Sequence, residues 1–228
     1  MKIGLLIIAT GKYGRFVRPL LSSAKKHFLK DHKVTYYVFT DDVSILSAPD
    51  ENIIPVFKEH KPWPHATLSR YETFHNNSEL LSKEEYLFYC DADMRFASTV
   101  GDEILGDMVA TIHPGFLGKR GTPETRKESL ACVAPLEEMT YFAGGFNGGT
   151  SENFLQMSKT IAKNINIDME NDIIAIWHDE SHMNRYFIDN NPTNILSPSY
   201  CYPESCDLPY EGKLLALDKN HAEIRSDQ

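Results

Sequence analysis

Ile3-Gly4-Leu5-Leu6-Ile7-Ile8-Ala9 opens the chain as an unbroken apolar run behind a single basic residue, Lys2, and its reading decides the fold. A secretory signal has to be weighed for such a start, but no small-residue cleavage site follows, and the run falls far short of the roughly 20 residues that cross a bilayer. Gly11-Lys12-Tyr13-Gly14 reads instead as a turn, which makes the run a strand buried on both faces. From there the pattern repeats outward. Amphipathic stretches at 16–29 and 67–81 alternate with strand-length apolar runs at 34–40, 53–57 and 86–90. This βαβ rhythm predicts an α/β domain with a mainly parallel central sheet and helices on both faces, and it directs ligands to the loops after Ala9, Thr40 and Cys90, at the carboxyl ends of the strands.

Composition agrees. The chain has 228 residues, of which 42% are hydrophobic and 24% charged, enough for one well-buried domain. Its net charge of −9 opposes contact with a phosphate backbone or an anionic membrane, so nucleic acid is not an expected partner. Cys90, Cys132, Cys201 and Cys206 show neither CxxC spacing nor disulfide-rich density, and with no transmembrane segment in view they suggest reduced thiols in a cytoplasmic protein. The first loop carries neither GxGxxG nor GK[ST], which argues against dehydrogenases and kinases.

Beyond residue 100, Met108–Ile112 is the one clear strand, 119–127 reads as a polar loop, and helices are expected from Ser151 to about Ile165 and from Asp179 to Phe187. No repeat or linker divides the chain.

Several clusters carry chemistry. Tyr86-Leu87-Phe88-Tyr89-Cys90 leads into Asp91-Ala92-Asp93, two carboxylates at i and i+2 on one side of an extended segment, suited to Mn²⁺ or Mg²⁺ bridging a diphosphate; the bland reading is a solvated turn. In Trp177-His178-Asp179-Glu180-Ser181-His182, the two histidines stand four apart, but the pattern matches neither HExxH nor HxxEH. Glu180 beside an aromatic face is better read as a carboxylate acting on a sugar carbon, against the plain alternative of a helix start. Ala143-Gly144-Gly145 and Gly148-Gly149 strip side chains from the backbone, as close approach of a bulky ligand requires. Lys219 and Arg225, near the terminus, read either as a solvated tail or as cations folding over a diphosphate.

Together with Phe39-Thr40-Asp41, His113-Pro114-Gly115-Phe116, Arg126-Lys127-Glu128-Ser129, Trp177 to Asn184 with Tyr186, and Pro192 to Pro198, these motifs cover most of the chain. In this order and combination the chain resembles glycosyltransferase family 6, the family of the histo-blood group A and B transferases and the α-1,3-galactosyltransferase. The resemblance implies a GT-A fold, a single Rossmann-like domain with a nucleotide-binding half at 1–93, an acceptor-binding and catalytic half at 94–210, and a lid over the diphosphate at 211–228. It implies a retaining enzyme that moves Gal or GalNAc from a UDP-sugar to the 3-hydroxyl of a galactose.

Carried onto this sequence, the resemblance gives Ala9, Thr10 and Tyr13 to the uridine pocket. Asp91, Ala92 and Asp93 fall to the diphosphate, with Asp91 and Asp93 holding Mn²⁺ or another divalent cation, and Arg70 to the donor sugar. Ala143, Gly144 and Gly145 occupy the donor-sorting tripeptide, where small residues admit an N-acetyl group and so imply UDP-GalNAc over UDP-Gal. Asp179 is expected on the donor sugar, Glu180 as the nucleophile candidate, and Lys219 and Arg225 in the lid. His113, Thr122 and Trp177 are expected on the acceptor, a galactose-terminated and fucosylated glycan, with Glu204 supplying a carboxylate one residue displaced from its place in vertebrate members. Some members replace the metal motif with Asn-x-Asn; this chain keeps both aspartates, which implies metal dependence. Without the membrane anchor and stem of vertebrate members, the chain is expected to be a soluble microbial or phage-type member. A UDP-sugar hydrolase and a non-catalytic glycan-binding module are the rival readings.

Overall fold

A computed structural model of the chain describes residues 1–46, 50–220 and 223–224. It begins with β1 (Lys2–Ile8), α1 (Gly14–His27), β2 (Lys33–Thr40) and β3 (Ile53–Phe57), followed by three short helices, α2 (His65–Leu68), α3 (Arg70–Asn76) and α4 (Ser78–Leu81). Next come β4 (Tyr86–Cys90), β5 (Met94–Phe96), β6 (Met108–Ile112), β7 (Phe142–Thr150), α5 (Ser151–Glu170) and α6 (Asp179–Asp189). The short strands β8 (Asn194–Leu196), β9 (Tyr202–Pro203) and β10 (Leu214–Ala216) complete the order.

Seven strands form one sheet in the order β3-β2-β1-β4-β7-β6-β8, with β7 antiparallel to both of its neighbours and the remaining pairs parallel. The two-residue period of the strands divides their side chains between two cores. Ile3, Leu5 and Ile7 of β1 and Phe88 and Cys90 of β4 pack with Val17, Leu20 and Ala24 of α1. Leu6, Leu87 and Tyr89 point the other way, onto Phe74 of α3, Phe154 and Ile161 of α5 and Met183 of α6. Both faces are covered, as the continuous apolar runs of the early strands require. The expected α/β domain with a mainly parallel sheet is what the chain forms.

Two expectations need correction. The stretch 67–81 is not one helix. It breaks at Ser69, whose hydroxyl donates to the Ala66 carbonyl at 3.4 Å, and at Asn77, whose amide donates to the Thr73 carbonyl at 2.8 Å; such local side-chain bonds to the backbone compete with the helical ladder. Nor is Met108–Ile112 the one strand of consequence beyond residue 100: the glycine-rich stretch 142–150 is a strand too. It is β7, a central strand, and its glycines are packing sites: a Cβ at Gly148 would lie 2.3 Å from the Phe88 ring, and one at Gly149 would lie 2.3 Å from the Asp107 carbonyl.

A second sheet, β5-β10-β9, is small, but it places the chain after β10 against the end of β4: Leu217 N–H donates to the Asp93 carbonyl at 2.9 Å. No helix among the described residues is long and apolar enough to cross a membrane. The cysteines are all free thiols.

Candidate active site

The site is built around an irregularity in β7. Ala110 of β6 pairs with Asn147, whereas its neighbour Thr111 pairs with Ala143, so residues 144–146 are looped out of the β6 ladder. Their released backbone groups must find partners elsewhere. Gly144 N–H donates to Glu180 Oε2 at 2.7 Å, and its carbonyl accepts Arg70 Nη1 at 2.8 Å; on the other side of the strand, Gly145 C=O accepts Asp91 N–H at 2.9 Å. A side chain at 144 would be tight and would push on both groups: its Cβ would stand 3.2 Å from Arg70 Nη1 and 3.3 Å from Glu180 Oε2. A Cβ at 145 would stand 3.2 Å from Asp91 Oδ2.

Arg70, the first residue of α3, is the buried hub. Its guanidinium lies 4.3 Å from the centre of the Tyr89 ring, reaches Asp91 Oδ1 at 3.3 Å and lies 3.0 Å from Asp179 Oδ2, a pair close in distance but poorly aligned for a hydrogen bond. Burial pushes the Asp179 carboxyl up to about 6 against the opposing pull of Arg70. Glu180, also enclosed, accepts from Tyr141 O–H at 3.0 Å as well as from Gly144, yet burial still raises it to about 7.

Asp91 and Asp93 follow β4 as expected. Asp93 is 8% exposed, its carboxyl is raised by burial and then by Asp91, and the ammonium of Lys219 sits directly on it. Lys219 also lies 5.1 Å from the Tyr13 ring centre. One cavity is lined by Thr10, Tyr13, Arg70, Asp91, Ala92, Asp93 and Lys219, together with Trp63 and Tyr89; Ala9 is fully buried and does not line it. A second shares Asp91, Asp93 and Lys219 and continues over Ala143, Gly144, Gly145 and Glu180 to His113. A bound group spanning the two would pass over the paired carboxylates.

Other expected residues stand off these cavities. Asp179 is 3% exposed and sits behind Arg70, not on the cavity surface. Thr122 Oγ1 accepts the Trp177 indole N–H at 2.7 Å, fixing an indole that is 48% exposed. Glu204 faces Arg95 at 3.2 Å and accepts the Asp218 amide, outside the cavity lining. His178 and His182 do not converge: the first packs its ring on Trp63, and the second is buried against Asp168 at 3.5 Å. Arg225 lies outside the described residues, although Glu223 is tied to Arg15 at 2.7 Å, so the chain returns over the start of α1.

Sequence reasoning passed over Tyr141, which touches Glu180, and Asn184. The Asn184 amide accepts Phe142 N–H at 2.8 Å and donates to the Phe142 and Glu180 carbonyls at 2.9 and 3.0 Å, clamping α6 to the start of β7. The i, i+4 spacing of Glu180 and Asn184 on a helix was the available signal.

Residues 1–226 match the family model for glycosyltransferase family 6. A chicken globoside alpha-1,3-N-acetylgalactosaminyltransferase 1 is 35% identical over 99% of this chain and 70% of its own length. A rat histo-blood group ABO system transferase 1 is 35% identical over 98% of this chain and 68% of its own. An Escherichia coli O-antigen biosynthesis glycosyltransferase, WbnI, is 29% identical over 96% of this chain and 95% of its own. The expectation of a soluble microbial or phage-type member is therefore corrected: in identity the chain stands with the vertebrate transferases. That expectation leaned on where the given sequence begins, which says nothing about which relatives the catalytic fold is most similar to.

Proposed function

The chain belongs to glycosyltransferase family 6 and is a glycosyltransferase, and from that premise we propose that it is a retaining α-1,3-N-acetylgalactosaminyltransferase, moving GalNAc from UDP-GalNAc to the 3-hydroxyl of a galactose, in the first instance a fucosylated one. The observation that carries the donor assignment is the Ala143-Gly144-Gly145 floor, where β7 leaves the β6 ladder after Ala143, which presents a methyl group and bare backbone between Asp91 and Glu180. The relatives named for N-acetylgalactosaminyl transfer point the same way.

In this reading the uracil and ribose occupy the cavity of Thr10 and Tyr13, the diphosphate lies at Asp91, Asp93 and Lys219, and the sugar rests on 143–145 beside Arg70 and Glu180. The donor set fits a divalent cation. Two hard carboxylates line the same cavity, and Asp91 raises Asp93, a like-charge repulsion that a bound cation would relieve. Among the described residues no third His, Cys, Asp or Glu joins them, so Asp91 and Asp93 are the side chains that would hold such an ion. Such an ion would stabilise negative charge on the leaving diphosphate. Lys219 would add to that stabilisation.

Breaking the bond from C1 to the phosphate oxygen sends its electron pair to UDP. The acceptor O3 bonds to C1 on the same face, and its proton passes to the departing phosphate. Glu180, held by Gly144 and Tyr141, faces C1 either as a transient covalent partner or as the counter-charge to an oxocarbenium-like carbon.

The test is UDP release from UDP-GalNAc and UDP-Gal, each with and without 2'-fucosyllactose or lactose, in Mn²⁺ and in EDTA. The reading predicts GalNAc-selective, acceptor-stimulated, EDTA-sensitive release. A preference for UDP-Gal sinks the donor assignment, and release that no acceptor accelerates favours a hydrolase.

A further inference from the structure

A buried carboxylate outside the donor machinery joins the two segments on which acceptor recognition is expected to depend. Glu124 is 3% exposed, although it lies in the polar stretch between β6 and β7. Its Oε1 accepts the Thr125 and Arg126 amides at 2.9 and 2.8 Å, and the Arg126 guanidinium grips both oxygens at 3.0 and 2.6 Å. The remaining bond crosses to another part of the chain: Ile176 N–H donates to Oε2 at 2.9 Å. Arg126 crosses with it, donating to the Ile174 carbonyl at 2.5 Å. Two residues earlier, Thr122 holds the Trp177 indole. The 122–126 segment and the 174–177 segment are thus stitched at three points, and α6 with Glu180 begins immediately after. His178, between Trp177 and that helix, has φ 53°, a backbone state rare for a side chain of its size, so the segment needs outside support to hold its path.

We propose that Glu124 is a positioning residue for the acceptor: its carboxylate holds the Trp177 wall in the place where the sugar stacks, and it acts on glycosyl transfer without acting on the donor. The proposal rests on the transferase reading above. The contacts separate the two roles, because none of the bonds that place Arg70, Asp91 or the Glu180 carboxylate involves Glu124 or Arg126. The charge on Glu124 is secured by these donors, with the Arg126 guanidinium first among them, which hold the carboxyl down to about 2. Glutamine changes almost no volume but keeps only one acceptor oxygen and turns the other into an NH2 donor, so the Arg126 guanidinium loses its charged two-oxygen partner and one of Arg126 and the Ile176 amide faces a donor instead of an acceptor.

Glu124→Gln tests this, with Arg126→Lys as the second variant, since the lysine keeps charge and the Glu124–Ile176 bond but loses the planar fork. For Glu124→Gln the expected result is an acceptor KM raised by about tenfold or more, with acceptor-free UDP-GalNAc hydrolysis within about twofold of wild type. Arg126→Lys should move the acceptor KM in the same direction by less. A purely structural role would lower transfer and hydrolysis together and leave the acceptor KM in place; that result, or unchanged transfer in both variants, overturns the proposal. A second readout does not need turnover. Titrating 2'-fucosyllactose against tryptophan fluorescence should give a Kd weakened about as much as the KM, and equal affinity for wild type and Glu124→Gln overturns it. A wild type that releases UDP from neither donor would sink the proposed GalNAc-transfer reading, while the titration would still decide whether Glu124 holds the sugar-binding wall.

Discussion

Replacing Glu180 by Gln should make the protein more stable and inactive, and the stability gain should depend on pH. An ordinary glutamate ionises near 4.5, but in the folded protein burial lifts Glu180 to about 7. Because the folded-state value lies above the unfolded one, the stability linked to protonated Glu180 is complete below the unfolded value and is lost as pH rises through about 7. The gap corresponds to about 3 kcal/mol of destabilisation once the group is ionised in both states, near pH 8.5, and to about 1 kcal/mol at pH 5. Glutamine escapes that cost. It keeps an acceptor for Gly144 N–H, and its amide can donate to the Tyr141 oxygen if the hydroxyl turns, at a loss of about 1 kcal/mol for the poorer match. The variant should therefore gain about 2 kcal/mol on wild type between pH 5 and 8.5, or about 4 to 8 °C in Tm for a chain of this length. Thermal unfolding of both proteins without donor or metal, at half-unit steps across that range, measures it. Parallel Tm curves would mean that the carboxyl is not held protonated by its surroundings, and near-normal transfer by the variant would remove Glu180 from the mechanism. In the wild type, if the carboxylate is the active form, transfer should rise with pH through about 7.

Gly145→Ala brings a methyl group to 3.2 Å from Asp91 Oδ2 at the edge of the sugar floor, so donor preference should shift toward UDP-Gal by about 1 to 3 kcal/mol in kcat/KM ratio; an unchanged ratio separates this glycine from donor sorting. Gly148→Ala, three residues on, should instead cost about 1 to 3 kcal/mol of stability or more and leave the donor ratio of the surviving enzyme untouched, because its Cβ would collide with the Phe88 ring and the Leu87 carbonyl; urea denaturation and the same competition assay check both halves. Lys219→Met removes the cation on Asp93, and transfer should fall by about tenfold or more with a sharper requirement for added Mn²⁺; an unaltered metal titration would show that the lysine does not share the leaving group's charge.

The contrast between Gly145 and Gly148 shows what the sequence could convey. The early half was legible because β1, β2 and β4 are buried on both faces, and a strand buried on both faces writes itself as an apolar run whatever its neighbours are. Asp91 and Asp93 were legible because they follow such a run at a strand's carboxyl end. β7 hides for the opposite reason. Its composition, Phe142-Ala143-Gly144-Gly145-Phe146-Asn147-Gly148-Gly149-Thr150, has the low strand propensity of a loop, and tertiary demands override it: the Phe88 ring and the Asp107 carbonyl occupy the space where side chains would be.

The register shift that makes the site had no local signature at all. It is set by which residue of β6 meets which of β7, a relation between segments more than thirty residues apart, and its consequence is the release of Gly144's N–H and C=O from the ladder. Once they are free, burial forces them onto polar partners, and the partners are Glu180 and Arg70. The same backbone demand that the fold must meet therefore fixes both groups beside the proposed donor sugar. This is why Gly144→Ala should hurt twice. A Cβ at 3.2 Å from Arg70 Nη1 and 3.3 Å from Glu180 Oε2 loosens both anchors, so transfer and acceptor-free hydrolysis should fall together by about a hundredfold, about 3 kcal/mol in barrier, while the acceptor KM stays within about twofold. That is the reverse of the split expected for Glu124→Gln. Measuring both variants side by side decides whether donor chemistry and acceptor placement are held by separate parts of the fold, and the same split in both would refute it.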